Sequence, residues 1–434
     1  MASNRQRMAH FRYDRSPSTD FIRTLYGQSS SEDDTEPTPV FLYDAEDFSW
    51  DVCSKPGGCC EFEETKFETQ VQQRWERAKS HFALNYDLNL LYKLLPGRFC
   101  LTAQLNVERG MKRRKPHPFR SLAAPFDHRR FNYNKIKKKE ILLDLRCTDR
   151  PLTSDSLDRH LLITNASPIE RGHCLVLPCV TKCLPQRLTE PAVRLMVHLM
   201  LLTKSNRFLV LFNSLMAYAS VNHLHFHTMY WPYLSEITKR PVQKLSEEVW
   251  VLRSPDDWFV PAFVFQLTHS SALDRFVRLL ALTARFLHQR NIAHNLFMVR
   301  APKFEPDTPA TPVPNGPAGF MGTPHVPLFV TVYIFPRRSV FGAKPASKFN
   351  PAACELAGNL LIYNDRFFST INENSVLRII DDEAGLDCGI FDELCAALPD
   401  YFLNPQEPTP EPGEPSDNRP RFHTYIQQDM IDEE

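Results

Sequence analysis

The hydrophobic pattern of the chain predicts the same order of secondary-structure elements twice. Each copy has an apolar strand, an amphipathic helix and two further strands. The first copy places them at residues 174–178, 191–204, 208–212 and 223–230, and the second at 262–266, 272–289, 295–299 and 328–335. We therefore predict an α+β fold of two half-domains, each a mostly antiparallel sheet with a crossing helix. Because strand–helix–strand–strand is a common order, recurrence by chance is the alternative.

Proline clusters interrupt this pattern and mark its end. Eight of the 35 prolines fall between Pro302 and Pro327, and six between Pro405 and Pro420. Both stretches should be irregular, because proline donates no backbone hydrogen bond and restricts the residue before it. The predicted segments are a disordered or extended arm (1–50), a first half (51–240), a second half (241–400) with a proline-rich loop (301–327), and a disordered acidic tail (401–434).

The composition is that of a folded protein, with 43% apolar and 24% charged residues. It excludes wholesale disorder and collagen-like repeats. Lys and Arg number 51, as do Asp and Glu, which argues against a nucleic-acid binder driven by bulk positive charge. The charges are unevenly placed, however. Residues 32–64 hold 11 acids and one base, and residues 107–139 hold 12 bases and two acids.

Cysteine usage and the apolar runs favour a cytoplasmic protein. The 11 cysteines are irregularly spaced, which indicates reduced thiols rather than a disulfide framework. The first residues lack the apolar core of a secretory signal, and the longest apolar run, near 195–202, is too short to span a bilayer. Cys53, Cys59 and Cys60 form a cluster without paired Cys-x-x-Cys spacing, so incidental thiols are favoured over a zinc site.

The most distinctive motif is the segment Val221-Asn-His-Leu-His-Phe-His227. Alternate side chains of a strand share a face, so His223, His225 and His227 are expected on one face. Three such imidazoles are costly to bury without a bonding partner. Two chemistries use this arrangement. Neutral imidazoles can bind zinc with an open position for water, or one imidazole can attack phosphorus while its neighbours hold the phosphate oxygens.

The histidine segment resembles the signature of the histidine-triad superfamily of nucleotidyl hydrolases and transferases, His-x-His-x-His followed by apolar residues. The upstream segment from Asn165 to Pro178 looks like that superfamily's ribose-contacting turn and strand. A duplication with one histidine strand is similar to the galactose-1-phosphate uridylyltransferase branch. Further segments resemble the GDP-hexose phosphorylases, and the animal-type GDP-D-glucose phosphorylases in particular. They are 103–106 with Arg109, 112–115, 125–127, 131–132, 293–297 and 337–344, within a match that spans about residues 85 to 385.

The resemblance implies a nucleotidyltransferase that converts GDP-glucose and inorganic phosphate to glucose 1-phosphate and GDP. His225 would attack the α-phosphorus to form a guanylyl-histidine, and His223 and His227 would support the phosphate oxygens. It implies no cofactor and no metal. The balanced charge and the short apolar runs argue against nucleic-acid and membrane partners, and the dimers common in the uridylyltransferase branch make a homodimer possible while the oligomeric state stays open. The implied substrate-binding residues are Asn165 (at the ribose), Ser220, Asn222, Gln104, Asn106, Arg109, His294, Arg337, Arg338 and Lys344.

Three alternatives stay open from the residues alone. Plant GDP-L-galactose phosphorylases and uridylyltransferases carry Gln at the third triad position, whereas His227 matches the hydrolytic branch. A histidine-triad nucleotidyl hydrolase and a GDP-L-galactose phosphorylase are therefore alternatives within enzymes. A non-catalytic nucleotide-binding or interaction module is the alternative of another class. Most of the basic residues in 112–139 are expected to face solvent, and His173 is expected to be structural.

Overall fold

The computed structural model describes residues 37–50, 52–54, 63–153, 155, 158–304, 326–341 and 348–406. The strands in these ranges are β1 (Val40–Tyr43), β2 (Val52–Ser54), β3 (Leu91–Leu95), β4 (Leu101–Leu105), β5 (Ile141–Cys147), β6 (Leu161–Thr164), β7 (Cys174–Leu177), β8 (Phe208–Asn213), β9 (Phe226–Tyr230), β10 (Gln243–Ser246), β11 (Val249–Leu252), β12 (Ala262–Leu267), β13 (Ala293–Pro302), β14 (Val326–Arg337) and β15 (Asn359–Ile362). The α-helices are α1 (Lys66–Ser80), α2 (Val107–Lys112), α3 (Glu190–Leu201), α4 (Leu273–Gln289), α5 (Ala353–Leu356), α6 (Asp365–Thr370), α7 (Glu373–Ala384) and α8 (Cys388–Leu403).

Both halves of the described chain contribute to one large sheet. Its order is β1-β5-β6-β7-β9-β8-β13-β14-β12-β11-β10, with β2 beside β14. The order β7-β9-β8 of the first half is followed by its reverse counterpart β13-β14-β12 in the second half, and β8 and β13 join the halves by antiparallel pairing. The predicted α+β class and the two mostly antiparallel halves are confirmed. The two halves share one continuous sheet rather than forming separate ones.

Helices pack on one face of the large sheet and a small sheet packs on the other. Alternate side chains along each strand point to opposite faces. On β8, Val210 and Phe212 pack into a core with helices α1, α3, α4 and α8. Leu209 and Leu211 point to the other face, where a small sheet of order β15-β4-β3 supplies much of the packing. No helix in the described ranges combines the length and the apolar run needed to cross a membrane.

Helices α1 and α3 begin where the sequence supplies caps. The Thr65 hydroxyl accepts a hydrogen bond from the N–H of Glu68, whose carboxylate accepts from the N–H of Thr65 in return, so α1 starts with a capping box. At α3 the hydroxyl of Thr189 accepts from the N–H of Ala192, and Pro191 occupies the first turn. The second helical prediction also holds, since α4 runs from Leu273 to Gln289.

Three segments differ from the expectations. The predicted strand 223–230 is wrong at its start, because the structure begins β9 only at Phe226. Within the arm expected to be disordered or extended, residues 40–43 form β1, which pairs in parallel with β5. Within the expected tail, α8 continues to Leu403. Most of the arm, the tail beyond residue 406 and residues 305–325 of the proline-rich loop lie outside the described residues.

The core of the helical layer predicts a large stability effect for one phenylalanine. Phe286 on α4 is fully buried, with its ring 5.2 Å from that of Tyr401 on α8. We expect Phe286→Ala to lower the free energy of unfolding by about 3–5 kcal/mol, because it removes apolar contacts and leaves a cavity. Urea denaturation measures the change. The matched variant Phe341→Ala alters a ring that is 68% exposed, and an equal loss in both variants would contradict this account.

Candidate active site

A deep cleft opens on the face of the large sheet that looks away from helices α1, α3 and α4. Leu175 and Leu211 line the cleft, whereas their neighbours Val176 and Val210 belong to the helical core. His227 pairs in register with both Leu175 and Leu211, so its side chain points to the same face. The cleft encloses about 1470 Å³ of empty space, its open mouth included.

The backbone of His225 is held by the side-chain amide of Gln186. The N–H of His225 donates to Gln186 Oε1 at 2.9 Å, and Gln186 Nε2 donates to the carbonyl oxygens of His225 at 2.9 Å and Asn213 at 3.0 Å. The buried amide thus occupies the backbone groups of His225 just before β9 begins at Phe226. This fixes His225 without the regular strand that the sequence predicts.

The ring of His225 is oriented by a backbone carbonyl. Its Nδ1 lies 2.8 Å from the carbonyl oxygen of His223, which can only accept, so Nδ1 carries the proton. Burial lowers the pKa of His225 to about 4, so the ring is neutral at pH 7. Its Nε2 therefore keeps a lone pair, and the residue lines the cleft. A neutral imidazole held in this way can act as a nucleophile without a separate base.

His227 is oriented by a second histidine, His173. The N–H of Ile169 donates to His173 Nδ1 at 2.8 Å, which places the proton of a neutral His173 on Nε2. That Nε2 lies 2.9 Å from His227 Nδ1 and donates to it. Nε2 of a neutral His227 must then carry a proton. Burial lowers the pKa of both rings well below the usual value, and the charge of Arg109 lowers it further. Both rings are therefore neutral, and His227 offers the N–H of its Nε2 to the cleft.

His223 has both ring nitrogens bonded to the backbone. The N–H of Tyr133 donates to Nδ1 at 3.1 Å, and Nε2 donates to the carbonyl of Val180 at 3.1 Å. Its side chain is fully buried and does not line the cleft. The structure therefore brings His225 and His227 to the cleft and places His223 behind them. Its carbonyl, rather than its ring, contacts the ring of His225.

Arg109 is the most deeply enclosed cation of the cleft. Asn106 caps α2 by accepting from the N–H of Arg109 at 3.0 Å, and the guanidinium donates to the carbonyl of Ser167. Burial opposes the charge, but the hydroxyls of Tyr363 and Tyr86 outweigh it and raise the pKa of Arg109. Its Nε is buried and has no hydrogen-bond partner among the described residues. That N–H can serve an anionic ligand.

Two further arginines of the basic segment 107–139 line the cleft, and each lies against an aromatic ring. The guanidinium of Arg113 lies 5.0 Å from the ring centroid of Tyr363, and that of Arg114 lies 3.0 Å from the centroid of Phe131. Lys112 instead pairs with Glu108 at 2.6 Å. The cleft is therefore cationic along one wall, as an anionic substrate requires.

Asn165 and Ser220 also line the cleft. Asn165 follows β6, and its Oδ1 accepts from the N–H of Ser167 at 2.9 Å. Its Nδ2 lies 3.4 Å from His173 Nε2, next to the histidine pair. The carbonyl of Ser220 accepts from the N–H of His117 at 3.4 Å.

Six other predicted substrate-binding residues do not line the cleft. Four of them use their polar atoms in bonds to distant backbone or buried side chains. Gln104 donates to Glu170 at 3.0 Å, and Asn106 donates to the carbonyl of Pro168 at 3.2 Å and caps α2. Asn222 accepts from the N–H of Gln186 at 2.8 Å. Arg337 donates to the carbonyls of Glu383 and Pro351.

The other two are His294 and Arg338. His294 is buried at the start of β13, with Nδ1 3.2 Å from the carbonyl of Ile292. Arg338 is exposed and donates to the carbonyl of Asp382 at 2.9 Å. Lys344, the remaining predicted residue, lies outside the described residues.

Several cleft residues carry no readable signal in the sequence. Gln186, Tyr133 and Glu355 reach the cleft or its histidines from loops and helices far from the histidine segment. His173 lies in the segment that resembles the ribose-contacting turn, yet it was expected to be structural. Its bond to His227 depends on the β7–β9 pairing, which the sequence does not state.

The zinc alternative finds no ligand set among the described residues. No three His, Cys, Asp or Glu side chains there converge as ligands of one metal ion. Of the cysteine cluster, Cys59 and Cys60 lie outside the described residues. Hydrogen bonds to protein atoms instead orient the rings of His223, His225 and His227 as neutral imidazoles.

Comparison with known proteins adds independent findings. A family model described as GDPGP1-like, N-terminal domain, matches residues 66–229, and one described as GDPGP1-like, C-terminal domain, matches residues 240–401. The GDP-D-glucose phosphorylase 1 of Caenorhabditis elegans is 42% identical over 415 residues, which cover 93% of this chain and 83% of that protein. The human GDP-D-glucose phosphorylase 1 is 33% identical over 352 residues, covering 79% and 87%.

Among solved structures, the yeast Ap4A phosphorylase Apa2 in complex with Ap4A has a TM-score of 0.49 and 14% sequence identity. The alignment covers 74% of this chain and 97% of that one.

The buried neutral histidines predict a loss of stability in acid. Some histidines have a lower pKa in the folded chain than in the unfolded chain. The folded state then keeps its full stability above the unfolded pKa of about 6.5 and loses stability as pH falls below that value. His294 has a pKa lowered to about 4 by burial. We expect wild type to lose about 2 kcal/mol more unfolding free energy than His294→Gln between pH 7.5 and 5.0. Urea denaturation at both pH values tests this, and equal losses would contradict it.

Proposed function

The chain belongs to the GDPGP1-like family, and from this membership and the cleft we propose that it is a GDP-D-glucose phosphorylase. The enzyme is a nucleotidyltransferase that moves a guanylyl group from GDP-glucose to inorganic phosphate and yields GDP and glucose 1-phosphate. The identities of the base and the sugar rest on the relatives, whose names state them.

The observation that carries the proposal is the orientation of His225. Its Nδ1–H donates to the carbonyl of His223, and the neutral ring leaves Nε2 for a ligand in the cationic cleft. When Nε2 bonds to phosphorus, the ring becomes positively charged, and the carbonyl dipole at Nδ1–H stabilises that charge. Nucleotidyl transfer through a histidine needs this combination of a lone pair on one nitrogen and an acceptor at the other.

The reaction proceeds in two displacements at the α-phosphorus. In the first, His225 Nε2 forms a bond to phosphorus, and the bond to the bridging oxygen breaks so that glucose 1-phosphate leaves with the electron pair. In the second, an oxygen of inorganic phosphate attacks the guanylyl-histidine, the P–N bond breaks and GDP departs. The imidazole returns to its neutral form, so one nucleophile serves both acceptors.

The neighbouring groups stabilise charge on the phosphoryl oxygens. His227 offers its Nε2–H, fixed by His173, and Arg109 offers an unpartnered Nε–H. Such preplaced donors are worth about 10²–10³ in rate where charge develops in the transition state. Asn165, beside the histidine pair, is the proposed ribose contact, and Arg113 and Arg114 are proposed to attract the diphosphate.

Three features of the proposal rest on sequence reasoning alone. They are a homodimeric state, a cytoplasmic location, and the lack of nucleic-acid and membrane partners. Gel filtration with light scattering addresses the first directly.

Incubation with a panel of nucleotide sugars and inorganic phosphate tests the function. We expect GDP-glucose to be consumed and GDP to form in step with glucose 1-phosphate. Without phosphate, a guanylyl group should be trapped on His225 after a denaturing quench, because the first displacement needs no acceptor. Mass spectrometry of peptides identifies the modified residue. GMP as the main product would instead identify a hydrolase, and the absence of any product or label would exclude the proposal.

Substitution of the nucleophile gives a second measurement. His225→Ala should lower kcat by at least about a thousandfold, since the covalent step is lost. The matched control is His198→Asn, because His198 is equally buried but lies on α3 beside Tyr43, away from the cleft. His198→Asn should retain activity in protein that remains folded. Activity retained in His225→Ala would contradict the covalent route and favour a non-catalytic module.

A further inference from the structure

The second half of the chain contributes a buried carboxyl to the cleft, Glu355. It lies on α5, is 1% exposed and lines the same cavity as His225, His227 and Arg109. The N–H of Ala352 donates to Glu355 Oε2 at 3.1 Å. A carboxyl in a cleft built for phosphates is unexpected, because an ionised one would repel the substrate.

Burial keeps this carboxyl largely protonated near neutral pH. Loss of hydration raises the pKa of Glu355 to about 8, against the backbone N–H donors and the charge of Arg109, which both lower it. At pH 7 the side chain therefore presents an O–H that can donate a hydrogen bond. A neutral acid near the Arg109 guanidinium gives this part of the cleft two kinds of donor, whereas Glu140, another carboxyl that lines the cleft, lies near Arg114.

The charged and titratable groups around Glu355 come from several elements. They are Arg109 on α2, Cys354 on α5, Tyr218 after β8, Arg337 on β14 and Tyr363 after β15. Burial raises the pKa of Cys354 and of Tyr218 well above their usual values, and lowers the pKa of Arg337 only to about 10. The pKa of His225 is lowered to about 4. Of these shifted groups, Glu355 is the one that changes charge between pH 7 and 9.

The proposed reaction needs such a donor beyond the α-phosphorus. The group bonded there changes during the cycle, because a sugar phosphate leaves and inorganic phosphate takes its place. Neither step requires a proton from the protein, since the sugar phosphate departs as an anion and the hydrogen phosphate dianion already has a nucleophilic oxygen. What the subsite must do is hold a dianion, and donors without opposing charge do this best.

We propose that Glu355 is a substrate-binding residue of the phosphate acceptor subsite, where its neutral carboxyl donates a hydrogen bond to the departing sugar phosphate and to the incoming inorganic phosphate. The inference rests on the proposed function and adds to it a residue from the second half. It also predicts that phosphate binding weakens in mild alkali, because the ionised carboxylate accepts instead of donating and repels the dianion.

The test compares wild type with Glu355→Gln from pH 6.5 to 9.0. The amide keeps a donor of the same shape and cannot ionise. Both proteins are assayed for kcat/KM of inorganic phosphate, and the ratio of the two values is taken at each pH, so that the ionisation of phosphate itself cancels. We expect a ratio within about threefold of unity at pH 7, and a wild-type value that falls roughly fivefold relative to the variant between pH 8 and 9.

Other measurements keep the inference testable if the amide variant folds poorly. Glu355→Leu, which has no donor, should raise KM for phosphate by about tenfold or more and should also slow guanylylation by GDP-glucose, because the same donor holds the departing sugar phosphate. Wild type alone should take up protons when it binds inorganic phosphate at pH 8.5, as calorimetry in buffers of different ionisation enthalpy reports. A constant ratio across pH, an unchanged KM in Glu355→Leu, or binding without proton uptake would each overturn the assignment.

The experiments distinguish a failure of the proposed function from a failure of the role assigned to Glu355. If wild type forms no GDP from GDP-glucose and phosphate, the proposed function is wrong. If wild type is active but the ratio to Glu355→Gln is constant with pH, the function stands and the role of Glu355 is wrong.

Discussion

The site depends on one residue pair at the seam between the halves, where β8 meets β13. Asn213 on β8 pairs in register with Asn295 on β13, and Asn295 Nδ2 donates to Asn213 Oδ1 at 2.6 Å. The same Oδ1 accepts from the N–H of Ala353 on α5 at 3.0 Å, while the Asn213 carbonyl accepts from Gln186 at 3.0 Å. One buried polar junction therefore sets the helix that carries Glu355 relative to the amide that holds His225. Buried polar groups have to be fully paired, so this junction tolerates little displacement.

Much of the fold follows from hydrophobic periodicity, but the site follows from contacts that periodicity does not encode. The alternation of apolar residues predicts β8, β13 and the two crossing helices, because each element must bury one face or both. The histidine spacing predicts three imidazoles on one face only if the segment is a regular strand. The strand starts at Phe226, so the ring of His223 turns to backbone partners while His227 keeps the expected direction. Gln186 causes this difference from a distant position, where no local pattern marks it.

Burial has opposite consequences for the acids and bases of the cleft, and the proposed reaction uses both. Loss of hydration keeps His225 and His227 neutral, which frees one lone pair and fixes one N–H. It also keeps the proton on Glu355, whereas Arg109 stays charged because tyrosine hydroxyls and a carbonyl satisfy it. The cleft thus holds the cationic Arg109 near a protonated Glu355, while the Glu140 carboxyl lies near Arg114. An anionic ligand would pair with Arg109, and its binding should stabilise the folded protein.

The duplication also shows what stands in the second half at the place that corresponds to the cleft wall of the first half. In the second half, β14 occupies the place that β9 has in the first, next to the seam strand. Tyr333 and Phe335 stand on β14 with their rings stacked and buried beneath the small sheet, on the same face of the large sheet as His227. Apolar rings there fill the space that the first half leaves open. The sheet face of the second half is therefore used for packing, while Glu355 and Tyr363 from the second half line the cleft together with residues of the first half.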